Sequence, residues 1–165
     1  MAARIRIGAM TRIVIKPARA EEAPRLTDIC LRAKAHWGYD AEFMALSREA
    51  LTITPSMIAE GRVLRAENER GEILGVATAV PLAAKGTFDL GQMFVDPDAM
   101  RGGVGRKLFE AIIALIAAEG ATKLVILADP HAEGFYRRMG AKRVGDAPSE
   151  SIPGRRLPLL EFEIG

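Results

Sequence analysis

The residues most suited to chemistry lie in two short stretches. The first reads VDPDAMRGGVGR from Val95 to Arg106, with Gly102, Gly103 and Gly105 set between Arg101 and Arg106. Glycines let a backbone approach an anion closely, and the first amides of a helix opening here would lack intrahelical partners and sit at its positive end. Together they form an anion cradle, suited to a pyrophosphate, to which Arg101 and Arg106 add charge. Two familiar phosphate loops are excluded. The Walker loop needs a Gly-Lys-Ser/Thr ending, and the dinucleotide fingerprint needs a third glycine where Leu108 and its neighbours stand. The second stretch reads DPHAEGFYRRMGA from Asp129 to Ala141 and carries one phenol, Tyr136, beside the apolar Ala132, Phe135 and Met139.

The surrounding pattern supplies the elements that must position these residues. Arg12 to Lys16 alternates and is β-branched, a strand ended by Pro17. Glu21, Glu22 and Pro24 open a helix whose apolar residues Leu26, Ile29, Cys30, Ala33 and Trp37 recur at helical spacing up to Gly38. A second helix is expected from Asp40 to about Ala50, and a third short turn capped by Ser56. Arg62 to Glu67, Ile73 to Val80 and Thr87 to Val95 read as an antiparallel meander. From Gly103 to about Ala118, Val104, Leu108, Ala111, Ile112, Leu115 and Ile116 form a wide apolar stripe closed by Gly120. Lys123 to Leu127 suits a strand buried on both faces. A helix over Pro130 to Met139 and strands over Ala141 to Val144 and Leu157 to Glu163 complete the chain. Strands that first run antiparallel and later alternate with helices imply an α/β (α+β) fold on a mixed, mostly antiparallel sheet of six or seven strands, flanked by helices.

The paired stretches resemble the GCN5-related N-acetyltransferase family. Its pattern is a strand, then Gln/Arg-x-x-Gly-x-Gly/Ala opening a helix, a second strand, and Asn-x-x-Ala-x-x-Phe-Tyr-x-x-x-Gly-Phe. Gly103, Gly105, Ala132, Phe135, Tyr136 and Gly140 match; Met100 stands where Gln or Arg is usual, Asp129 where Asn is, and Ala141 where Phe is. The resemblance covers the order of elements from Arg12 onward, so 12–165 is expected to be one N-acetyltransferase domain preceded by a flexible extension, 1–11.

The resemblance implies acetyl-coenzyme A as cosubstrate and an amine acceptor, either a small molecule or a protein. Backbone amides at Met93, Phe94 and Val95 would hold the pantetheine arm and polarise the carbonyl. The pyrophosphate would lie over Arg101, Gly102, Gly103, Val104, Gly105 and Arg106, and Tyr136 would be the general acid for the departing thiolate. Asp129 reads either as a cofactor contact or as a helix cap before Pro130. An ammonium acceptor must lose a proton, and Asp89 or Glu133 could take it through water. Trp37 and Tyr39, at the turn bordering the acceptor cleft in the family, read as acceptor contacts or as packing. The loop Ser149 to Arg156 reads as acceptor wall, homodimer contact or plain surface connection. A non-catalytic module that senses acyl-coenzyme A is the alternative reading of the same cradle.

Bulk properties agree. With 165 residues, 49% of them hydrophobic, the chain suits one domain with its own core. A net charge of +2 from intermixed acids and bases argues against a nucleic-acid partner. No apolar run reaches the length of a secretory signal or a membrane span, which argues against a membrane partner. One cysteine and two histidines argue against an internal disulfide and a metal site, and for a cytoplasmic protein. Cys30 falls on the apolar helical stripe and reads as core rather than nucleophile, which favours direct attack by the acceptor.

Overall fold

The computed structural model describes residues 12–165, so the expected extension 1–11 lies outside the described residues. Elements follow in the order β1 (Val14–Pro17), a 3-10 turn (Ala20–Glu22), α1 (Ala23–Ala35), α2 (Ala41–Ser47) and α3 (Pro55–Ala59). Then come β2 (Val63–Glu67), β3 (Ile73–Pro81), β4 (Thr87–Val95), a 3-10 turn (Pro97–Ala99) and α4 (Val104–Ala118). The chain ends on β5 (Lys123–Leu127), α5 (Glu133–Arg138), β6 (Lys142–Pro148) and β7 (Arg156–Glu163). Seven strands form one sheet in the order β1-β2-β3-β4-β5-β7-β6. All neighbours are antiparallel except β4 and β5.

Two apolar clusters sandwich this sheet. On one face α4 buries Val104, Leu108, Phe109, Ile112 and Ile116 against Ala77, Ala79, Leu90, Leu124 and Ile126. On the other, α1 packs Leu26 and Cys30 around Val76. Fully buried side chains such as Leu108 and Ile112 stabilise by about 1.5–3 kcal/mol each relative to exposure. Burial pushes the Cys30 thiol up to about 12, so it is an inert part of this core.

An irregularity in β4 shapes everything downstream. Ala79 faces Leu90 while Ala77 faces Met93, so Thr78 opposes two residues, Gly91 and Gln92. The Thr78 hydroxyl accepts the Gln92 amide at 2.7 Å in place of a backbone carbonyl. A Cβ on residue 91 would lie 2.6 Å from that hydroxyl oxygen, so only glycine fits there.

Several boundaries differ from expectation. Thr54, not Ser56, caps α3, accepting the Met57 amide at 3.2 Å with Pro55 in the first turn. α2 stops at Ser47, three residues early, and β6 runs on to Pro148. The helix expected from Pro130 starts at Glu133, with Ala132 as its N-cap. Asp129 is therefore not the helix cap: its Oδ1 accepts the His131 amide at 2.9 Å, and its carbonyl accepts the Ala132 amide, closing a tight turn before the helix.

Candidate active site

β4 and β5 pair in parallel only from Thr87 with Lys123 to Asp89 with Val125, and then diverge. A cleft of about 600 Å³ opens in the fork. Leu90 to Val95 of β4, save Gln92, line one side and Ile126 to Asp129 the other, with the start of α4 and the β6–β7 loop completing its walls. Its volume falls in the range typical of small-ligand sites. Met93, Phe94 and Val95 all line it, on the edge of β4 that has no strand partner beyond Asp89.

At one end lies the glycine loop. Gly103 is the N-cap of α4 at φ +76°, and no side chain among the described residues caps the helix, so its first amides are donors without a described partner at the positive end of a 15-residue helix. Nothing lies within 4 Å of a Cβ built on Gly103, which leaves the approach to those amides open. Gly103, Gly105 and Arg106 line the cleft, as does Met100; Arg101 and Gly102 do not. Val104 is 1% exposed, its side chain in the core, so only its amide can serve an anion. Asp96 anchors the loop to α1: it is buried, its Oδ1 accepts the Asp98 amide at 3.0 Å, and its Oδ2 accepts Arg32 at 2.6 Å. Burial works to raise its carboxyl, but the amide and Arg32 outweigh it and hold it low.

Deeper in the cleft stand two titratable groups. Tyr136 is 6% exposed, and burial, with the charge of Asp129 second, pushes its phenol far above the ordinary range, so it keeps its proton. Asp89 sits where the strands part. Burial, with the nearby charge of Glu150 second, pushes its carboxyl up to about 6. Glu133, the other candidate base, is paired with Arg137 at 3.1 Å and Arg143 at 3.4 Å and does not line the cleft.

Asp129, also on the cleft lining, gathers side chains from three segments. Its Oδ2 accepts Lys34 at 2.6 Å and the Tyr39 hydroxyl at 2.8 Å; its Oδ1 lies 2.8 Å from His131 Nδ1. Burial works against the charge, but Lys34, the His131 amide and Tyr39 outweigh it and hold the carboxyl well below its usual range. An ionised carboxylate only accepts, so His131 Nδ1 carries a proton and is the donor. Trp37 stacks on His131 with centroids 4.7 Å apart and lines the cleft, whereas Tyr39 stands behind the lining and links Asp129 to Arg155.

Sequence reasoning did not single out Lys34, His131, Glu150 or Arg155. Lys34 had a signal: it follows Cys30 by one helical turn, a charge within the buried stripe. The loop from Ser149 is more than a surface connection, since Ser149, Glu150, Ser151, Ile152 and Arg155 all line the cleft.

The acetyltransferase (GNAT) domain family matches residues 59–140, spanning the fork, the glycine loop and α5. The peptidyl-lysine N-acetyltransferase YjaB of Escherichia coli is 32% identical over 154 residues, 91% of this chain and 95% of that protein. The chain belongs to the GCN5-related N-acetyltransferase (GNAT) family. The protein of the same name from Salmonella typhimurium is 38% identical over 70 residues, which span 42% of this chain and 46% of that one. Among solved structures, the PaiA N-acetyltransferase of Thermoplasma acidophilum, crystallised with coenzyme A, superposes with a TM-score of 0.74 over 93% of this chain and 99% of its own. At 15% identity that likeness concerns the GNAT fold alone. GNAT membership makes this chain an acetyl-coenzyme A-dependent acyltransferase.

Proposed function

We propose that this GNAT enzyme transfers an acetyl group to a primary amine, of a small molecule or a protein, by direct attack of the amine, with Asp89 as base and Tyr136 as acid. The observation that carries the reading is the fork: one cleft joins an uncapped helix end, a phenol that keeps its proton and a carboxylate raised to about 6. Residues at the first two positions fit a cosubstrate with a pyrophosphate and a thioester. Free amides from Gly103 to Arg106 suit the pyrophosphate, and the unpaired edge of β4 offers the amides of Met93 and Val95 to an extended arm and to a carbonyl oxygen, whereas the Phe94 amide, like those of Gln92 and Asp96 on either side, faces β3.

Acetyl-coenzyme A supplies the acetyl group as an activated thioester. Asp89 receives a proton from the acceptor ammonium, directly or through one water, and its raised carboxyl retains a proton better than an exposed one near neutrality. Tyr136 donates its hydroxyl hydrogen to the sulfur as charge builds there. Because its phenol holds the proton tightly, the assistance is that of a strong hydrogen bond completed late by transfer. Cys30 lies in the core, away from the cleft lining, so no cysteine stands ready to carry the acetyl group. The E. coli relative's name specifies a peptidyl-lysine acceptor; a lysine side chain and a small amine present the same ammonium to Asp89.

The test compares turnover with binding in Tyr136→Phe. Turnover should fall by about a hundredfold, the low end for loss of a general acid, while acetyl-coenzyme A affinity by calorimetry stays within twofold. Unchanged turnover would reduce Tyr136 to a packing residue and remove the acid from the mechanism.

A further inference from the structure

The cleft holds charges of both signs that the protein leaves unmatched. Asp129 has about four lone-pair sites, and Lys34, Tyr39, the His131 amide and His131 Nδ1 occupy them. Arg155 is thereby kept to a long ion pair with no direct hydrogen bond, its Nη2 lying 3.7 Å from the carboxylate and donating to the Tyr39 hydroxyl at 2.8 Å. Its guanidinium is fixed by the rings of Tyr39 and Phe43, whose centres lie 5.1 Å and 4.9 Å away. Its Nε and Nη1 have no hydrogen-bond partner among the described residues, although the side chain is only 20% exposed and lines the cleft. Lys34 and Arg155 against Asp129 leave one positive charge in surplus.

The opposite surplus stands in the same cleft. Asp89 and Glu150 both line it, the charge of Glu150 helps to raise the Asp89 carboxyl, and neither has an ion-pair partner among the described residues. Glu150 and Arg155 belong to one loop, held by the Ser149 amide on the Arg155 carbonyl at 2.7 Å, yet they do not pair with each other. Glu150 is exposed, but Asp89 and Arg155 are partly buried, and charges held there are costly unless a ligand completes them.

We infer that the acceptor carries a carboxylate beside its amine, the carboxylate docking on the free edge of Arg155 and the ammonium between Asp89 and Glu150, so that free amino acids are the substrate class. The inference rests on the acetyl-transfer reading above. Arginine suits the role, because its planar fork binds a carboxylate through two parallel hydrogen bonds, here from the second hydrogen of Nη2 and the neighbouring Nε or Nη1.

The test pairs each acceptor with its carboxamide, which keeps the amine and removes the negative charge: alanine, serine and lysine against alaninamide, serinamide and lysinamide, plus a lysine peptide without acidic residues. In the parent enzyme kcat/KM should favour the acids by about ten- to hundredfold, the worth of a hydrogen-bonded charge. In Arg155→Met the ratio should fall toward one, and in Arg155→Lys, which keeps the charge but not the fork, it should drop severalfold. The ratio cancels general damage to the fold; if Arg155→Met does not fold, Arg155→Lys decides. Equal use of acid and amide by the parent, an unchanged ratio in Arg155→Lys, or preference for the lysine peptide would overturn the inference. If no amine is acetylated, the transfer reading fails instead. Binding of alanine against alaninamide to the coenzyme A-saturated protein by NMR then decides: selective binding of alanine, lost in the variants, supports the carboxylate site, and its absence overturns it.

Discussion

Replacing Asp89 by Asn should make the protein more stable and the enzyme worse. The Asp89 carboxyl lies at about 6 against an ordinary 3.8, so the folded state binds its proton more tightly than the unfolded chain. Stability from this group is then greatest below about pH 4, is lost as pH rises from 4 to 6, and stays lost above. The gap of roughly two pH units, at about 1.4 kcal/mol per unit, sets a ceiling of about 3 kcal/mol at neutral pH. The group is only partly buried, and solvent screening brings that to about 1–2 kcal/mol. Asn has nearly the same shape and no charge, so Asp89→Asn should gain this amount at pH 7.5, a rise of about 2–8 °C in Tm for a chain of this size. Thermal unfolding at pH 4.5 and 7.5 provides the assay: the gain should be present at the higher pH and largely absent at the lower. In parallel, kcat/KM should fall by about a hundredfold or more, and its acid limb near pH 6 should disappear. A Tm at pH 7.5 that is unchanged or lower would refute the claim that the site keeps a strained carboxylate, and an acid limb that survives in Asp89→Asn would assign the base elsewhere.

Other perturbations address the remaining walls of the site. Gly103→Val places a β-branched side chain at φ +76°, at a cost of about 1–2 kcal/mol, and puts its methyls before the free amides; the protein should fold with a modestly lower Tm and show no acetyl-coenzyme A binding by calorimetry. Asp129 has a lowered carboxyl, so its contribution is present above about pH 4 and is lost as pH falls further; acid unfolding below pH 4 should therefore be shallower in Asp129→Asn than in the parent, and the variant should be less stable at pH 7 because Lys34 loses its partner. Cys30→Ala should keep full acetyl transfer and lose about 1 kcal/mol by denaturant titration, whereas a dead enzyme would point to an acetylated cysteine.

The elements that sequence pattern revealed are those whose cause is local. Alternation marked β2, β3 and β4, the stripe from Val104 to Ile116 marked α4, and the glycines placed the cradle at its start. Local signals also misled: the Asp-Pro pair suggested a cap at Asp129, but the carboxylate answers to Lys34, 95 residues away, and to Tyr39, 90 away. No spacing rule reaches across such separations. For the same reason the loop from Ser149 to Arg156 stayed open between acceptor wall, homodimer contact and surface connection, and Glu150 and Arg155 did not stand out within it. Only in the assembled sheet, where β4 parts from β5, is there a cleft for that loop to line.

The extra residue opposite Thr78 works as a frameshift in the alternation of β4. Ahead of it the even-numbered Phe88 and Leu90 point into the α4 cluster; past it the odd-numbered Met93 and Val95 do, while Phe94 joins Val76 on the opposite face. Deleting Gly91 would remove a residue with no side chain and let β3 and β4 pair without interruption. The inward and outward sets would survive, because without the extra residue Leu90, Met93 and Val95 fall into plain alternation opposite the same β3 partners; what would go is the local bend and twist that the bulge imposes on β4 where it parts from β5. A one-residue deletion past the bulge, between Met93 and Val95, would by contrast exchange the two faces, so this strand should tolerate loss of Gly91 better than loss of a residue after it, and better than a side chain at position 91.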